Sequence, residues 1–264
     1  MLRFRNLGSG STGNATLVEA SGLRKRRVLV DCGLGIRQLA TRLALAGLNG
    51  DAGREIDAVF ITHEHSDHIG CARDFALRHR IPLWMSRGTY CGIGEPDLDG
   101  LLRIAVDGQP IDLGDLQLLP FTVPHDAREP LQLSCYDGAA RLGLLTDLGH
   151  ATEHVLTHLT GCQALLLEFN HDEDLLAQSS YPPFLKRRVG GRYGHLSNAA
   201  AAGIVEALSH DRLQLVVAAH LSQQNNRPEL ALAAMNRSDA PLWGRPAWAV
   251  AHPLNGTDWH QVSH

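Results

Sequence analysis

The stretch "FITHEHSDHIG", residues 60–70, closes an apolar run and then sets three histidines, one glutamate and one aspartate into the six positions 63–68. The preceding "IDAVFIT" (56–62) has the β-branched and aromatic content of a short buried strand. Side chains alternate in extended chain, so His63 and His65 leave the strand on one side and can grip one ion together. A helix beginning near Asp67 would turn Asp67 and His68 elsewhere, toward a second ion. A carboxylate there also suits a helix N-terminus. Imidazole nitrogen mixed with carboxylate oxygen suits Zn²⁺, Mn²⁺ or Fe rather than a thiolate site.

Further ligands should come from other strand ends. Three apolar runs stop on a ligand-type residue: "LLPFTVPHDA" at His125, "RLGLLTDLG" at Asp147 and "LQLVVAAHLS" at His220. Polar residues at strand ends are where α/β sheets collect their sites. His195 could take the place given to His220. His220 is preferred because it ends a strand, whereas His195 opens a helix.

The rest of the chain alternates strands and helices. "LRFRNL" and "NATLVEA" read as strands around the loop "GSGSTGN" (8–14), and "RRVLVDCG" as a strand stopping at Asp31 and Gly33. "IRQLATRLALAGL", "GCARDFALRHR", "HATEHVLTHLTG", "SNAAAAGIVEALS" and "PELALAAMNR" carry helical periodicity. "PLWMS", "CQALLLEFN" and "AWAVAH" read as strands, the last followed by an Asn-Gly turn at 255–256, and residues 104–146 contain strand-like segments with an Asp137-Gly138 hairpin turn. Residues 174–194 read as irregular. The basic run "LRKRR" (23–27) reads as an exposed hairpin turn, and His154 and His158, i and i+4 on a helix, as surface residues without a third ligand.

The chain has 264 residues, 44% hydrophobic, enough for a sizeable core in one unit spanning 1–264. A net charge of −4 argues against an indiscriminate nucleic-acid coat and confines phosphate binding to a local patch. No run approaches the roughly 18 apolar residues of a membrane span, and "MLRFRNLGSG" lacks a signal peptide's apolar core. Five scattered cysteines with no C-x-x-C pair read as reduced thiols, which places the chain in the cytoplasm.

These residues resemble the metallo-β-lactamase superfamily, with "THEHSDHIG" the most specific signature. The resemblance implies an α/β (α+β) fold, an αββα four-layer sandwich of two mixed sheets with helices on the outer faces. It implies that His63, His65 and His125 hold one divalent ion, that Asp67, His68 and His220 hold another, that Asp147 bridges them, and that Asp31 braces the histidine loop. "LGSGSTGN" (7–14), "EFNHD" (168–172), "YPPFLKRRVGGRYGHLSN" (181–198) and "HLSQQNN" (220–226) narrow the resemblance to the YycJ/WalJ-type branch. That branch implies a 5′-to-3′ exonuclease acting on double-stranded DNA.

The chemistry agrees with a dinuclear hydrolase. Two divalent ions about 3.5–4 Å apart share a hydroxide and clamp the attacked group. With Asp67, Asp147 and that hydroxide subtracted, one formal positive charge remains, which favours an anionic phosphodiester. The two ions are expected to be Zn²⁺ or Mn²⁺, with Fe a further option, and DNA is the expected partner. Asp67 and His195 are the expected catalytic residues, His195 by protonating a leaving oxygen. Ser11 and Asn14 of the glycine loop, His171, Lys186, Arg187, Arg188, His195, Ser197 and Asn198 are the expected substrate contacts, with Ser197 or Asn198 capping a helix. The alternative is a small-molecule hydrolase of the same fold, acting on a thioester, lactone or cyclic phosphodiester.

Overall fold

A computed structural model describes residues 1–48, 52–236 and 246–263. Arg237, the last residue of the expected "PELALAAMNR" helix, lies outside the described residues. The first sheet contains β1 (Leu2–Gly8), β2 (Ala15–Ser21), β3 (Lys25–Val30), β4 (Ala58–Phe60), β5 (Leu83–Met85) and β6 (Leu102–Ile104). The second contains β7 (Ile111–Asp112), β8 (Gln117–Thr122), β9 (Leu131–Tyr136), β10 (Arg141–Leu145), β11 (Ala164–Glu168), β12 (Leu215–Ala219) and β13 (Ala247–Val250). A last strand, β14 (His260–Val262), returns to the first sheet beside β1, giving the order β14-β1-β2-β3-β4-β5-β6 against β13-β12-β11-β10-β9-β8-β7. In each sheet an antiparallel part gives way to a parallel one: β3 to β6 in the first, β10 to β13 in the second.

The period of two sorts the core into layers. Val28 and Val30 of β3, Phe60 of β4, Leu142 and Leu144 of β10, and Val217 of β12 meet between the sheets. Their neighbours turn outward. Leu29 and Val59 pack under α1 (Ile36–Leu45) and, beyond a single-turn α2 (Ser66–Ile69), α3 (Ala72–His79). Past α4 (Arg87–Gly92), the outward residues Leu165, Leu167, Val216 and Ala218 of the second sheet pack under α5 (Glu153–Leu159), α8 (Asn198–Ala207) and α9 (Pro228–Asn236). Strands covered on both faces read as unbroken apolar runs, which is why their ends were visible in the sequence. The result is helix, sheet, sheet, helix, the expected four-layer sandwich. Among the described residues no helix is long and apolar enough to cross a membrane.

Two expectations need correction. Residues 174–194 are not irregular. They form α6 (Glu173–Gln178) and α7 (Pro183–Val189). Asp172 caps α6 by accepting from the Leu175 amide at 3.0 Å, and Pro182-Pro183 opens α7 where a missing N–H costs nothing. The run 23–27 is only partly a turn: Leu23 is exposed, but Lys25, Arg26 and Arg27 lie within β3 and Arg27 is buried. Its counter-charge is Glu19, paired with it across β2 and β3.

Candidate metal centre

The parallel parts of both sheets deliver their carboxyl ends to one edge, and the loops there carry the ligand-type residues. Asp31 follows β3, His63 follows β4, Asp147 follows β10, Glu168 ends β11 and His220 follows β12. Asp31, Asp147 and His220 each sit in the left-handed region, at φ of 62°, 56° and 55°. Each strand thus turns sharply at the residue whose side chain it presents. Gly33 brings the β3 end against the histidine loop. A Cβ there would stand 1.7 Å from the Asp67 carbonyl oxygen, so no larger residue fits.

The loop is braced through its backbone and through Asp31. One Asp31 oxygen accepts from the Thr62 amide at 2.9 Å, and the other faces His68 Nδ1 at 2.8 Å. Asn14 also serves the loop. Its backbone and side-chain amides donate to the Asp67 carbonyl at 2.8 and 3.2 Å, and its side chain is buried. Asn14 therefore holds Asp67 and His68 in place and does not open onto a cleft. Ser9 of the same loop accepts the His220 amide at 2.6 Å.

The structure brings His63, His65 and His125 into one cluster, and Asp67, His68 and His220 into an adjoining one. Asp147 groups with His63 and His68. His63 Nε2 is 3.0 Å from His65 Nδ1, and His125 Nε2 is 3.3 Å from the same atom. Asp147 Oδ2 lies 3.1 Å from His68 Nε2, and Asp67 Oδ2 lies 3.6 Å from His220 Nε2. The far ring nitrogens of His63, His68, His125 and His220 are occupied. His63 Nδ1 meets Thr62 Oγ1 at 3.0 Å, His68 Nδ1 meets Asp31, His125 Nδ1 donates to the Gly194 carbonyl at 3.0 Å, and His220 Nδ1 donates to Glu168 at 2.9 Å. Four imidazoles thus turn Nε2 inward, the arrangement by which an outer partner orients a metal ligand.

Two inward atoms, Asp147 Oδ2 and His220 Nε2, are buried without a hydrogen-bond partner. A buried polar atom left unpaired costs about 1–3 kcal/mol, and a cation between them removes that cost. The donor set of nitrogen and carboxylate oxygen fits divalent transition ions. Electrostatics agree. Burial holds His63 and His125 below the ordinary histidine range, which favours the neutral form that a metal ligand needs. Burial also disfavours a charged His220, but Asp147, Asp67 and Glu168 override it and raise its pKa to about 10. The metal-free cluster thus draws protons to offset its carboxylates, a demand that cations meet instead.

Glu168 had no expected role, yet it is fully buried at the centre of this network. Its Oε1 accepts from His195 Nδ1 at 2.8 Å and His220 Nδ1 at 2.9 Å, and its Oε2 accepts the amides of Leu148 and Leu196, each at 3.0 Å. Burial raises a carboxyl pKa, but the two histidines bring this one down to about 2. The signal was present: "ALLLE" is an apolar strand stopping on a carboxylate, the same mark that pointed to Asp147. The choice between His195 and His220 also gains geometry. His220 groups with Asp67 and His68, whereas His195 groups with Asp147, Glu168 and His220.

A cavity of about 360 Å³ opens over the cluster, with Ser11, Asp67, His195, Tyr181 and Arg188 on its walls. Arg188 Nε donates to Asp126 Oδ2 at 2.6 Å, next to His125. The other expected contacts are dispersed. His171, Lys186 and Ser197 line a neighbouring hollow that shares His195 with the first. Ser197 Oγ accepts the Ala200 amide as the cap of α8, and Asn198 is buried in reciprocal 2.9 Å bonds with Asn226, which removes it from the surface. Arg187 lies exposed on α7.

Comparison with known proteins agrees with this geometry. Residues 26–220 match the model of the beta-lactamase superfamily domain. The exodeoxyribonuclease YycJ of Bacillus anthracis is 32% identical over 240 residues, covering 89% of this chain and 88% of its own. The exodeoxyribonuclease WalJ of Streptococcus pneumoniae is 31% identical over 238 residues, covering 88% and 86%. Among solved structures, the metallo-beta-lactamase fold protein YhfI of Bacillus subtilis superposes with a TM-score of 0.74 at 14% identity, covering 99% of this chain and 100% of its own, a likeness of fold alone. A fold of this kind implies divalent metals.

Proposed function

The chain belongs to the metallo-β-lactamase superfamily, in its YycJ/WalJ branch of metal-dependent phosphodiesterases, and from that premise we propose that it is a cytoplasmic DNA exonuclease, releasing nucleotides 5′-to-3′ from double strands. Residues 1–264 act as one hydrolase unit. His63, His65 and His125 would hold one divalent ion and Asp67, His68 and His220 the other, with Asp147 a ligand available to both. Zn²⁺ and Mn²⁺ both suit these donors. When bound, the two ions supply Lewis acidity at the phosphate and a water acidified for attack.

The protein's own groups do the rest. Asp67, partly exposed toward the cavity, orients the attacking water and takes up its proton. Arg188 meets a phosphate oxygen at the rim, exchanging Asp126 for the substrate anion. His195 is the leaving-group acid. Against the cost of burial, Glu168, which accepts its Nδ1–H, and Asp147 favour the imidazolium, so Nε2–H is there to pass its proton to a departing oxygen. The observation that carries this reading is His195, held from behind by buried Glu168, on the wall of a cavity lined by ligand-type residues.

The test is hydrolysis of end-labelled duplexes by metal-loaded protein, with metal content measured alongside. His195→Ala should lower turnover about 10²–10⁴-fold, the ordinary contribution of a positioned acid, with metal content retained. Asp67→Ala should lose turnover and metal together. Failure to release nucleotides beyond the Asp67→Ala background, or faster turnover of small nitrophenyl phosphodiesters than of any duplex, would overturn the proposal.

A further inference from the structure

On α5, outside the cluster just described, His154 and His158 stand one turn apart on the helix surface, and local sequence pattern shows no companion for them. The fold supplies one. Asp107 lies in the connection between β6 and β7, where the chain crosses from the first sheet to the second. Its Oδ1 is 3.0 Å from His154 Nε2. One donor atom from each of Asp107, His154 and His158 lies within 4.8 Å of the others. We infer that these three residues form a separate site for one Zn²⁺-class ion, which fastens the sheet-crossing connection to α5.

Three observations carry this. First, two of the three, His158 and Asp107, are oriented by groups outside the site. His158 Nδ1 is 2.9 Å from the His154 carbonyl, so Nδ1–H donates there and Nε2 keeps the free lone pair. Its ring stacks on buried Phe121, with centroids 5.1 Å apart and planes at 24°. The Thr122 amide donates to Asp107 Oδ1 at 2.9 Å. This is the outer support that metal-binding histidines and carboxylates require. Second, α5 begins at a fixed point, because Thr152 Oγ1 caps it at the Val155 amide, so the i, i+4 histidine spacing is held.

Third, the chemistry selects the ion. Two imidazoles and one carboxylate suit Zn²⁺ with water as a fourth ligand, and disfavour Mg²⁺ or Ca²⁺, which want oxygen donors. Side-chain exposures of 42% for His154 and 37% for Asp107 leave both free to open from their present 3.0 Å to the roughly 3.2–3.6 Å between ligand atoms of a tetrahedral ion. The site shares no residue with the cluster at the strand ends. Its role is structural: it ties the edge of the sandwich to the helix that follows the Asp147 loop.

The experiment counts ions and heat stability together. The full chain, its strand-end cluster already filled, is titrated with Zn²⁺ by calorimetry. Melting is then followed with Zn²⁺ in about ten-fold excess over the midpoint found, and Mg²⁺ serves as control. We expect one further equivalent of Zn²⁺ and none of Mg²⁺, with a rise in Tm of about 2–4 °C. Both effects should vanish in His154→Gln and in His158→Gln, while duplex hydrolysis stays as in the parent. Asp107→Asn, which keeps the Thr122 hydrogen bond, should weaken the same equivalent at least ten-fold. Absence of the extra equivalent, or its persistence in both histidine variants, overturns the inference.

Discussion

Two basic runs of similar composition, "LRKRR" at 23–27 and "LKRR" at 185–188, end in opposite circumstances. The first runs into β3, where every partner is waiting. Arg27 Nε meets Glu19 at 2.7 Å and its Nη1 meets Glu55 at 2.8 Å, while Arg26 meets Asp57 at 2.6 Å. Glu19 is 1% exposed and also takes Arg3 at 2.7 Å, so a row of charges crosses β1, β2 and β3. The second run forms α7, which buries none of its residues. Its ion pair, among the described residues, is Arg188 with Asp126 at the cavity rim. Charge alone does not declare its purpose. A strand whose arginines each find an acid uses the charge for cohesion; a helix that buries none of its residues leaves most of its charge for something outside.

The sharpest way to break this contrast is Arg27→Met. It leaves Glu19 buried with less than its full complement of cations, and should destabilise the chain by about 3 kcal/mol in urea unfolding. Duplex hydrolysis per folded molecule should not change. Adding Glu19→Leu to that variant should recover most of the loss, because an apolar pair often replaces a buried ion pair at little cost. If the single variant is instead as stable as the parent, the strand row is ornamental and the contrast fails.

The next effect belongs to α7. Arg188→Ala should raise KM for a duplex about ten-fold, the value of one lost charge-assisted phosphate contact, and leave Tm within about a degree. The smallest effects come from Lys186→Ala and Arg187→Ala. Each should reduce the slope of log affinity against log salt by up to about 0.9, whereas Arg26→Ala in the first run should leave that slope unaltered. Equal salt slopes for the two runs would erase the distinction.

What the sequence made legible follows the same division. Strands covered on both faces have unbroken apolar runs, so their ends, and Asp31, His63, Asp147 and His220 upon them, could be found by eye. Five of the helices followed from 3.6-residue periodicity, whereas their sorting into two outer layers came from the family resemblance. Glu168 was passed over because a carboxylate ending a strand was read within a motif, without a role, although its position alone matched that of Asp147. The helix α7 was missed because it has no apolar stripe to betray it: its start is fixed by two prolines and it packs on little. Asp107 was invisible as a partner for His154 and His158 because 47 residues and a change of sheet separate them, and nothing in local pattern records a meeting at that distance.

The left-handed turns at Asp31, Asp147 and His220 have a cost that ought to be measurable from the opposite direction. A non-glycine residue in that region gives up about 1 kcal/mol that glycine would not. Glycine at Asp147 should therefore relax the backbone while deleting the carboxylate, and the metal-free chain should lose little stability or gain some, although hydrolysis ends. The molecule would rest more comfortably without its chemistry. If the proposed hydrolysis is what holds these three side chains on such uneasy hinges, a search that selected for heat resistance alone would be expected to discard them first.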